Sequence, residues 1–245
     1  MPSRRFYFGG NAVEWSVSVE MLFYLLFPLL IVWIGRRSKA QVWWIAGAAC
    51  VAALACGEAA RAVAGSDAFG GLSLYVFPPA RLPEFVLGIC AALLVRHGLP
   101  RVPMALAGAL LLGSYLVVHV LPASDGYGSV RFWSLPIALM IVATAQADIA
   151  GVDHPFRRGM TVRLGQWSFA FYLVHAVVVT VVGELVFAGE SATLAAVLIG
   201  VVVAFGGSLL LSWLLFTYVE TPAERAIRAS TWVPRLPGRA QPSLD

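Results

Sequence analysis

The chain has 245 residues, of which 60% are hydrophobic and 12% are charged, and its mean hydropathy is +0.82. These values lie far outside the range of soluble globular proteins and indicate an integral membrane protein. The formal net charge of +4 comes from basic residues in short segments between apolar stretches, which favours contact with anionic lipid over binding to nucleic acid.

Seven apolar stretches are candidates for membrane-spanning helices, each of which needs about 20 mostly apolar residues. They cover residues 13–34, 41–57, 83–95, 104–121, 133–147, 167–187 and 194–218. The third and fifth are short and would need flanking residues or a thinner bilayer to span. The sequence therefore predicts an all-α, polytopic membrane helix bundle over residues 1–229, followed by a proline-containing, disordered cytoplasmic tail over residues 230–245.

The distribution of positive charge predicts how these helices are oriented. With the N-terminus outside, twelve of the 17 Lys and Arg residues lie in cytoplasmic segments and five lie in external segments. Loops that hold the Lys/Arg excess are usually cytoplasmic, so we predict an external N-terminus and a cytoplasmic C-terminus. The residues before the first span lack the apolar region of a signal peptide.

The first span, VEWSVSVEMLFYLLFPLL over residues 13–30, contains two glutamates. Glu14 follows Asn11 by three positions, which is the pattern of a capping box, so its predicted role is structural. Glu20 lies roughly 14 Å along the helix axis from Asn11, inside hydrocarbon, where a carboxylate indicates a functional site or a buried ion pair. Helical spacing places Ser16, Glu20 and Tyr24 on one polar strip, which is predicted to face protein or water rather than lipid.

The third span, ARLPEFVLGICAALL over residues 80–94, begins with a proline and two charged residues. Pro83 and Glu84 suit the first turn of a helix. Arg81 lies on the predicted outer side, and the sequence allows an ion pair with Glu84, a site for an anionic group, or ordinary extension towards the membrane interface. Three cysteines fall within predicted spans, without metal or redox spacing, and are predicted to be buried apolar side chains: Cys50, Cys56 and Cys90.

The last two spans also contain polar groups. In GQWSFAFYLVHAVVV, residues 165–179, Ser168, Tyr172 and His175 fall at i, i+4 and i+7 on one helix face. A single helical histidine is more often a hydrogen-bonding core group than a catalyst, and both interpretations stay open here. In YVETPAERAIR, residues 218–228, the sequence predicts that the seventh span ends at Pro222 and leads into a short basic helix on the membrane surface.

Taken in order, these stretches resemble the membrane-bound acyltransferase family called acyltransferase type 3. The matching motifs, over residues 15–222, are W-S-V-S-V-E followed by F-Y-L-L-F-P, then R-L-P-E-F-V-L-G, then W-S-F-A-F-Y-L-V-H, and finally Y-V-E-T-P. Members of this family O-acylate carbohydrates and other exported or membrane-associated acceptors. One departure is Met21, where the family usually has a second polar or acidic residue after the glutamate.

The resemblance implies an acyltransferase of a bacterial-type inner membrane that takes an acyl group, commonly acetyl, from acyl-coenzyme A at the cytoplasmic side. The acceptor would be a hydroxyl, often of a sugar, so the site needs a base and donors for the thioester oxyanion. We predict Glu20 and His175 as catalytic residues. The predicted substrate-binding residues are Trp15, Ser16, Tyr24, Arg81, Glu84, Ser168 and Tyr172. Neither a metal ligand nor a tightly bound cofactor is predicted.

The family pattern also has about ten spans, and its first span carries an arginine and, about ten residues later, a histidine regarded as the catalytic base. By this resemblance we expect three further spans before the present chain, and we expect the 245 residues to be inactive without them. Two other classes stay open. A transporter or flippase would also keep Glu and His in membrane helices, and a non-catalytic membrane scaffold or fragment would fit the shortened pattern.

Overall fold

A computed structural model describes residues 15–66, 76–120, 132–187 and 193–229 of the chain. All regular secondary structure in these residues is helical, which confirms the predicted all-α class. The chain divides into two compact units, residues 1–159 and residues 160–245. Glu14, Asn11 and the predicted tail over residues 230–245 lie outside the described residues.

In the described residues, five principal helices belong to the first unit, and two long helices with a short extension belong to the second. The helices of the first unit are α1 (Trp15–Gly35), α2 (Lys39–Ser66), α3 (Leu82–Arg96), α4 (Met104–Val120) and α5 (Ser134–Ile149), with 3₁₀ turns at Pro78–Arg81 and Pro155–Arg157. The second unit contains α6 (Gly159–Phe187), α7 (Leu194–Leu215), a π-helical segment (Phe216–Glu220) and α8 (Thr221–Ala229).

Length and hydropathy confirm the prediction of a multi-pass membrane protein. Five helical segments of the described residues are long and apolar enough to cross a bilayer, and they correspond to most or all of α1, α2, α3, α6 and α7. Helices α4 and α5 are apolar but shorter. Large apolar side chains such as Leu29, Trp44 and Val202 are more than half exposed, as expected for helices that face lipid. The count of seven spans remains a prediction.

Helix α3 is the central element of the first unit. It packs against α1, α2 and α5, and α4 packs on the far side against α5. The core contains the fully buried side chains of Ile34, Val42 and Cys90, which come from α1, α2 and α3 respectively. Small residues of α2, including Ala46 and Ala49, join this core and allow α2 to approach α3 closely.

Helices α1 and α3 are parallel, and aromatic packing sets their register. Phe23 of α1 stacks on Phe85 of α3 with ring centroids 4.4 Å apart. Towards the other end, Ile34 of α1 and Leu94 of α3 belong to the same core. Because both helices rise about 1.5 Å per residue, Glu20, three residues before Phe23, lies at the level of the first turn of α3.

In the second unit, α7 presents a row of small residues. Buried positions recur every four residues at Gly200, Ala204, Ser208 and Ser212. A helix face made of such residues permits close backbone approach in a membrane, where hydrophobic burial gives little net association. The ring of Phe205 meets that of Phe171 of α6 edge-on, with centroids 5.9 Å apart.

The prediction that the helix stops at Pro222 is wrong, whereas the predicted short helix after the seventh span is present as α8. The chain continues as a helix through the π-helical segment into α8, which ends at Ala229. Proline lacks an N–H group, and in a regular α-helix its ring clashes with the carbonyl of residue i−4. The wider π turn directly before Pro222 removes this conflict, because its hydrogen bonds join residues five apart.

Two helices are also longer than the sequence predicted. The second span was predicted to end at residue 57, but α2 ends at Ser66. The sixth span was predicted to begin at residue 167, but α6 begins at Gly159. Neither extension contains proline, and the first is rich in alanine, the strongest helix former. Hydropathy marks only the apolar part of such helices, so it misses turns that continue beyond that part.

The predicted orientation leads to a topology experiment. Reporter fusions after Lys39, Arg101 and Gly159 are expected to report a cytoplasmic location, because the Lys/Arg excess lies in those segments. Fusions near Asp67, Asp125 and Glu190, which lie outside the described residues, are expected to report the exterior. An inverted pattern at most of the six sites would overturn the orientation.

Candidate functional site

The predicted polar strip on α1 begins on its packed face and turns away from it. Ser16 and Glu20 are half-buried, whereas Tyr24 is 73% exposed. Each four-residue step along an α-helix rotates the side chain by about 40°, so three residues at this spacing drift around the helix. Trp15, the first residue of α1, is also half-buried. The structure therefore places Glu20 at the edge of the contact between α1 and α3.

A charged group connects the start of α3 to the start of α5. The Arg81 guanidinium donates a hydrogen bond to Glu84 through Nη1 and Oε1, 3.3 Å apart. The same Glu84 oxygen accepts a hydrogen bond from the Ser134 hydroxyl at 3.0 Å. The side chain of Arg81 is 13% exposed and that of Glu84 is 30% exposed. Of the interpretations left open for Arg81, the structure shows the ion pair with Glu84.

Replacing Glu84 with glutamine is expected to lower the free energy of unfolding by about 1 kcal/mol, because one carboxylate oxygen serves two helices. The partial exposure of Glu84 keeps this effect small. Thermal unfolding in detergent measures the change. The control is Glu224→Gln, which removes an exposed i,i+4 pair with Arg228 on α8 and is expected to change stability little. Equal effects from both variants would contradict this role for Glu84.

In the second unit, the backbone of α6 fixes the ring of His175. Its Nδ1 lies 2.7 Å from the carbonyl oxygen of Tyr172 and 3.2 Å from that of Phe171. A carbonyl oxygen only accepts, so Nδ1 must carry the hydrogen. The network thus assigns the tautomer, and in the neutral ring the lone pair is on Nε2.

The imidazole of His175 lines a cavity of about 430 Å³ between α6 and α7. The walls are almost entirely apolar and include Val179, Ala204 and Phe205. The ring of Phe171 is stacked with that of His175 at a centroid distance of 5.8 Å, which limits the orientation of the imidazole. An apolar cavity of this size with one basic nitrogen has the character of a small-molecule site.

The other two residues of the predicted α6 strip, Tyr172 and Ser168, differ in burial and do not line this cavity. The ring of Tyr172 lies 5.6 Å from that of His175, centroid to centroid, and the residue is half-buried. The Ser168 hydroxyl donates to the carbonyl of Gly165 at 2.6 Å, and the residue is exposed. The structure thus brings Tyr172 and His175 together, whereas the Ser168 hydroxyl is hydrogen-bonded to the backbone of α6.

Several polar residues near these groups were not predicted from the sequence. Ser134 of α5 donates a hydrogen bond to Glu84, which is 50 positions earlier in the sequence, and no local sequence pattern predicts such a contact. Ser208 lines the His175 cavity, and its hydroxyl donates to the carbonyl of Ala204 at 2.7 Å. Ser208 and Ser212 are four residues apart on an apolar helix, and this spacing could have predicted that they share a polar face. Among the described residues, no group of three or more His, Cys, Asp or Glu could hold a metal ion.

Comparison with known proteins defines the class. An acyltransferase domain family matches residues 3–216, which is most of the chain. The chain therefore belongs to the acyltransferase type 3 family of membrane proteins, as the motifs predicted.

Among named proteins, the chain is similar to acyltransferase MdmB of Streptomyces mycarofaciens. The two are 36% identical over 238 residues, an alignment that covers 89% of this chain and 59% of that protein. The chain thus spans about three-fifths of the length of this curated relative. No solved structure matches the chain.

Proposed function

We propose that the whole protein is a membrane acyltransferase that transfers an acyl group, in particular acetyl, from acyl-coenzyme A to a hydroxyl of a carbohydrate or another exported acceptor. The observation that carries this proposal is the acyltransferase domain match over residues 3–216. It coincides with polar and ionisable side chains on helices that are apolar enough to span a bilayer. Such residues within a membrane are costly and indicate function.

The reaction replaces a thioester by an ester. The acceptor hydroxyl gives its proton to a base, its oxygen forms a bond to the acyl carbon, and the carbon–sulfur bond breaks. The departing coenzyme A thiolate then takes up a proton. The protein must therefore hold and return one proton and stabilise the negative charge that develops on the thioester oxygen.

His175 is suited to this proton transfer by the way α6 holds it. The hydrogen on Nδ1 is engaged by the Tyr172 carbonyl, so the neutral ring directs its basic Nε2 lone pair away from the helix backbone. The apolar walls of its cavity lower the local dielectric constant, which strengthens each electrostatic contact made inside. We assign His175 the role of a proton-handling residue, with Tyr172 and Ser168 as polar neighbours on α6.

Glu20 is assigned the role of a second proton-handling or orienting carboxylate. It lies on α1 at the level of the Arg81–Glu84 pair, which the predicted topology places at the external end of the bundle. Acceptors with several hydroxyl groups are bound through carboxylates and guanidinium groups, each of which makes more than one hydrogen bond. We therefore assign Trp15, Ser16 and Tyr24 together with Arg81 and Glu84 to binding of the acceptor.

Radiolabelled acetyl-coenzyme A tests the identity of both substrates. Membranes that contain the full-length protein are expected to move the acetyl label into carbohydrate, in a form that mild alkali releases as acetate because an ester has formed. Membranes without the protein provide the background. Label that stays in coenzyme A, or that appears only in alkali-stable products, would contradict the proposed donor and acceptor.

A further inference from the structure

A second polar site lies at the end of the first unit opposite the Arg81–Glu84 pair. A cavity of about 350 Å³ opens between the last turn of α5, the loop before α4 and the segment that follows α5. Its lining includes Arg101, Met104, Gln146 and His154. The predicted topology places this end in the cytoplasm, and none of these residues is used in the proposed transfer.

Gln146 of α5 fixes one wall of this cavity. Its Oε1 accepts a hydrogen bond from the backbone N–H of Val102 at 2.8 Å. Its Nε2 donates to the carbonyl oxygens of Leu99 and Pro100, each at 3.1 Å. The loop that carries Arg101 is therefore held in place, and the N-terminus of the 17-residue helix α4 follows it directly.

His154 forms the opposite wall. After α5 the chain reverses direction at Gly151, whose φ of 67° lies in the left-handed region that glycine adopts without strain. The chain then places His154 beside the last turn of α5, where its Nε2 lies 3.0 Å from Oδ1 of Asp148. Its side chain is only 4% exposed. The other ring nitrogen, Nδ1, is buried and has no hydrogen-bond partner among the described residues.

Three features at this cavity favour an anion. The first-turn N–H groups of α4 lack partners within the helix, and the helix dipole places partial positive charge there. Arg101 lies at the exposed rim. Because the Asp148 carboxylate only accepts, Nε2 of His154 carries a hydrogen, and the buried Nδ1 of the neutral ring can accept the hydrogen of a singly protonated phosphate.

The other charges around His154 leave this preference in place. Asp148 is already engaged by His154 and by Arg157, whose Nε lies 3.9 Å from the same oxygen. Asp153 also lines the cavity and is exposed like Arg101, so water and salt weaken both charges alike and the partial positive charge at the N-terminus of α4 decides the preference. Arg101 thus has no described carboxylate partner at the rim, and a bound anion would complete the site.

We propose that this cavity is a binding site for a phosphate group, held by Arg101, by Nδ1 of His154 and by the N-terminus of α4. A helix N-terminus combined with a guanidinium group is well suited to phosphate oxygens. The same chemistry is present in coenzyme A, in anionic lipid headgroups and in free phosphate. The site is separate from the proposed catalytic residues, so it stands independently of the acyl-transfer proposal.

Binding is measured with the full-length protein in a neutral detergent, by calorimetry, with three probes in separate titrations: coenzyme A, dihexanoyl phosphatidylglycerol and inorganic phosphate. Arg101→Gln removes the charge at the rim. His154→Gln keeps an amide nitrogen near the position of Nε2 that can still donate to Asp148, and it removes Nδ1. Each variant is expected to lower the affinity for the probe that binds by about 10-fold, the usual effect of losing a charge-assisted hydrogen bond.

The control is Arg36→Gln, which makes the same change of charge in the turn between α1 and α2, outside the cavity. It is expected to leave affinity within about twofold, since Arg36 does not line the cavity and its exposed charge is screened by salt. The probe that binds most tightly identifies the source of the phosphate. Absence of binding by all three probes, or equal affinities in the wild type and Arg101→Gln, would overturn the site. Because no turnover is needed, this result is independent of acyl transfer.

Discussion

Replacing His175 with asparagine is expected to lower the acyl-transfer turnover of the full-length protein by about 100-fold or more, the usual scale for a general acid–base group. Asparagine keeps an N–H group near the position of Nδ1 that can donate to the Tyr172 carbonyl, so the local hydrogen bond survives. It removes Nε2, the nitrogen whose lone pair is available in the neutral ring. Folded yield in detergent is expected to change little, because the hydrogen bonds of His175 in the described part of the chain lie within α6.

His119 provides a matched control for this substitution. Its Nδ1 lies 2.8 Å from the carbonyl oxygen of Tyr115, and its ring contacts that tyrosine at a centroid distance of 4.0 Å, so the local arrangement resembles that of His175. His119 is exposed on α4. His119→Asn is expected to retain nearly full turnover. Equal turnover in the two variants would show that Nε2 of His175 has no part in the chemistry.

The second large effect is expected at Glu20. Glu20→Gln keeps the size of the side chain and much of its hydrogen-bonding capacity, but it removes the ability to accept a proton. Turnover is expected to fall by about 100-fold if Glu20 handles protons. Membrane insertion and folded yield should stay normal or improve, because a neutral amide is less costly than an ionisable group on a membrane-spanning helix.

A structural role for Glu20 predicts the opposite pattern, with lower thermal stability and near-normal specific activity in the protein that folds. Measuring folded yield and turnover side by side separates the two roles. Glu184→Gln, an exposed glutamate near the end of α6, is the control for removing a carboxylate from a membrane helix. Near-normal turnover in both variants would exclude Glu20 from catalysis.

The helices could be predicted from sequence wherever one physical signal dominated. Long apolar runs gave the positions of the seven main helices of the described residues, and Pro83 and Glu84 marked the first turn of α3. The predicted helix stop at Pro222 was wrong because a π-helical segment before it lets the helix continue, although the short helix predicted there is present as α8. Hydropathy also could not show that α2 and α6 continue beyond their apolar parts.

The candidate site was less accessible from sequence, because its contacts join distant parts of the chain. Spacing within one helix correctly placed Tyr172 beside His175, and spacing of three residues correctly allowed Arg81 to pair with Glu84. The same reasoning could not find Ser134, since that contact depends on how α5 packs against α3. It also could not show which nitrogen of His175 is free, because the backbone carbonyl of Tyr172 decides the tautomer.

Acceptor-dependent release of coenzyme A from acetyl-coenzyme A, by the purified full-length protein in lipid vesicles, tests the central claim most directly. We expect release that requires both the protein and a carbohydrate acceptor, with an equal amount of acetyl ester formed on the acceptor. The His175→Asn and Glu20→Gln proteins should release about 100-fold less per folded molecule. Folded wild-type protein that forms no ester on any carbohydrate acceptor tried, or that releases coenzyme A equally well without an acceptor, would contradict it.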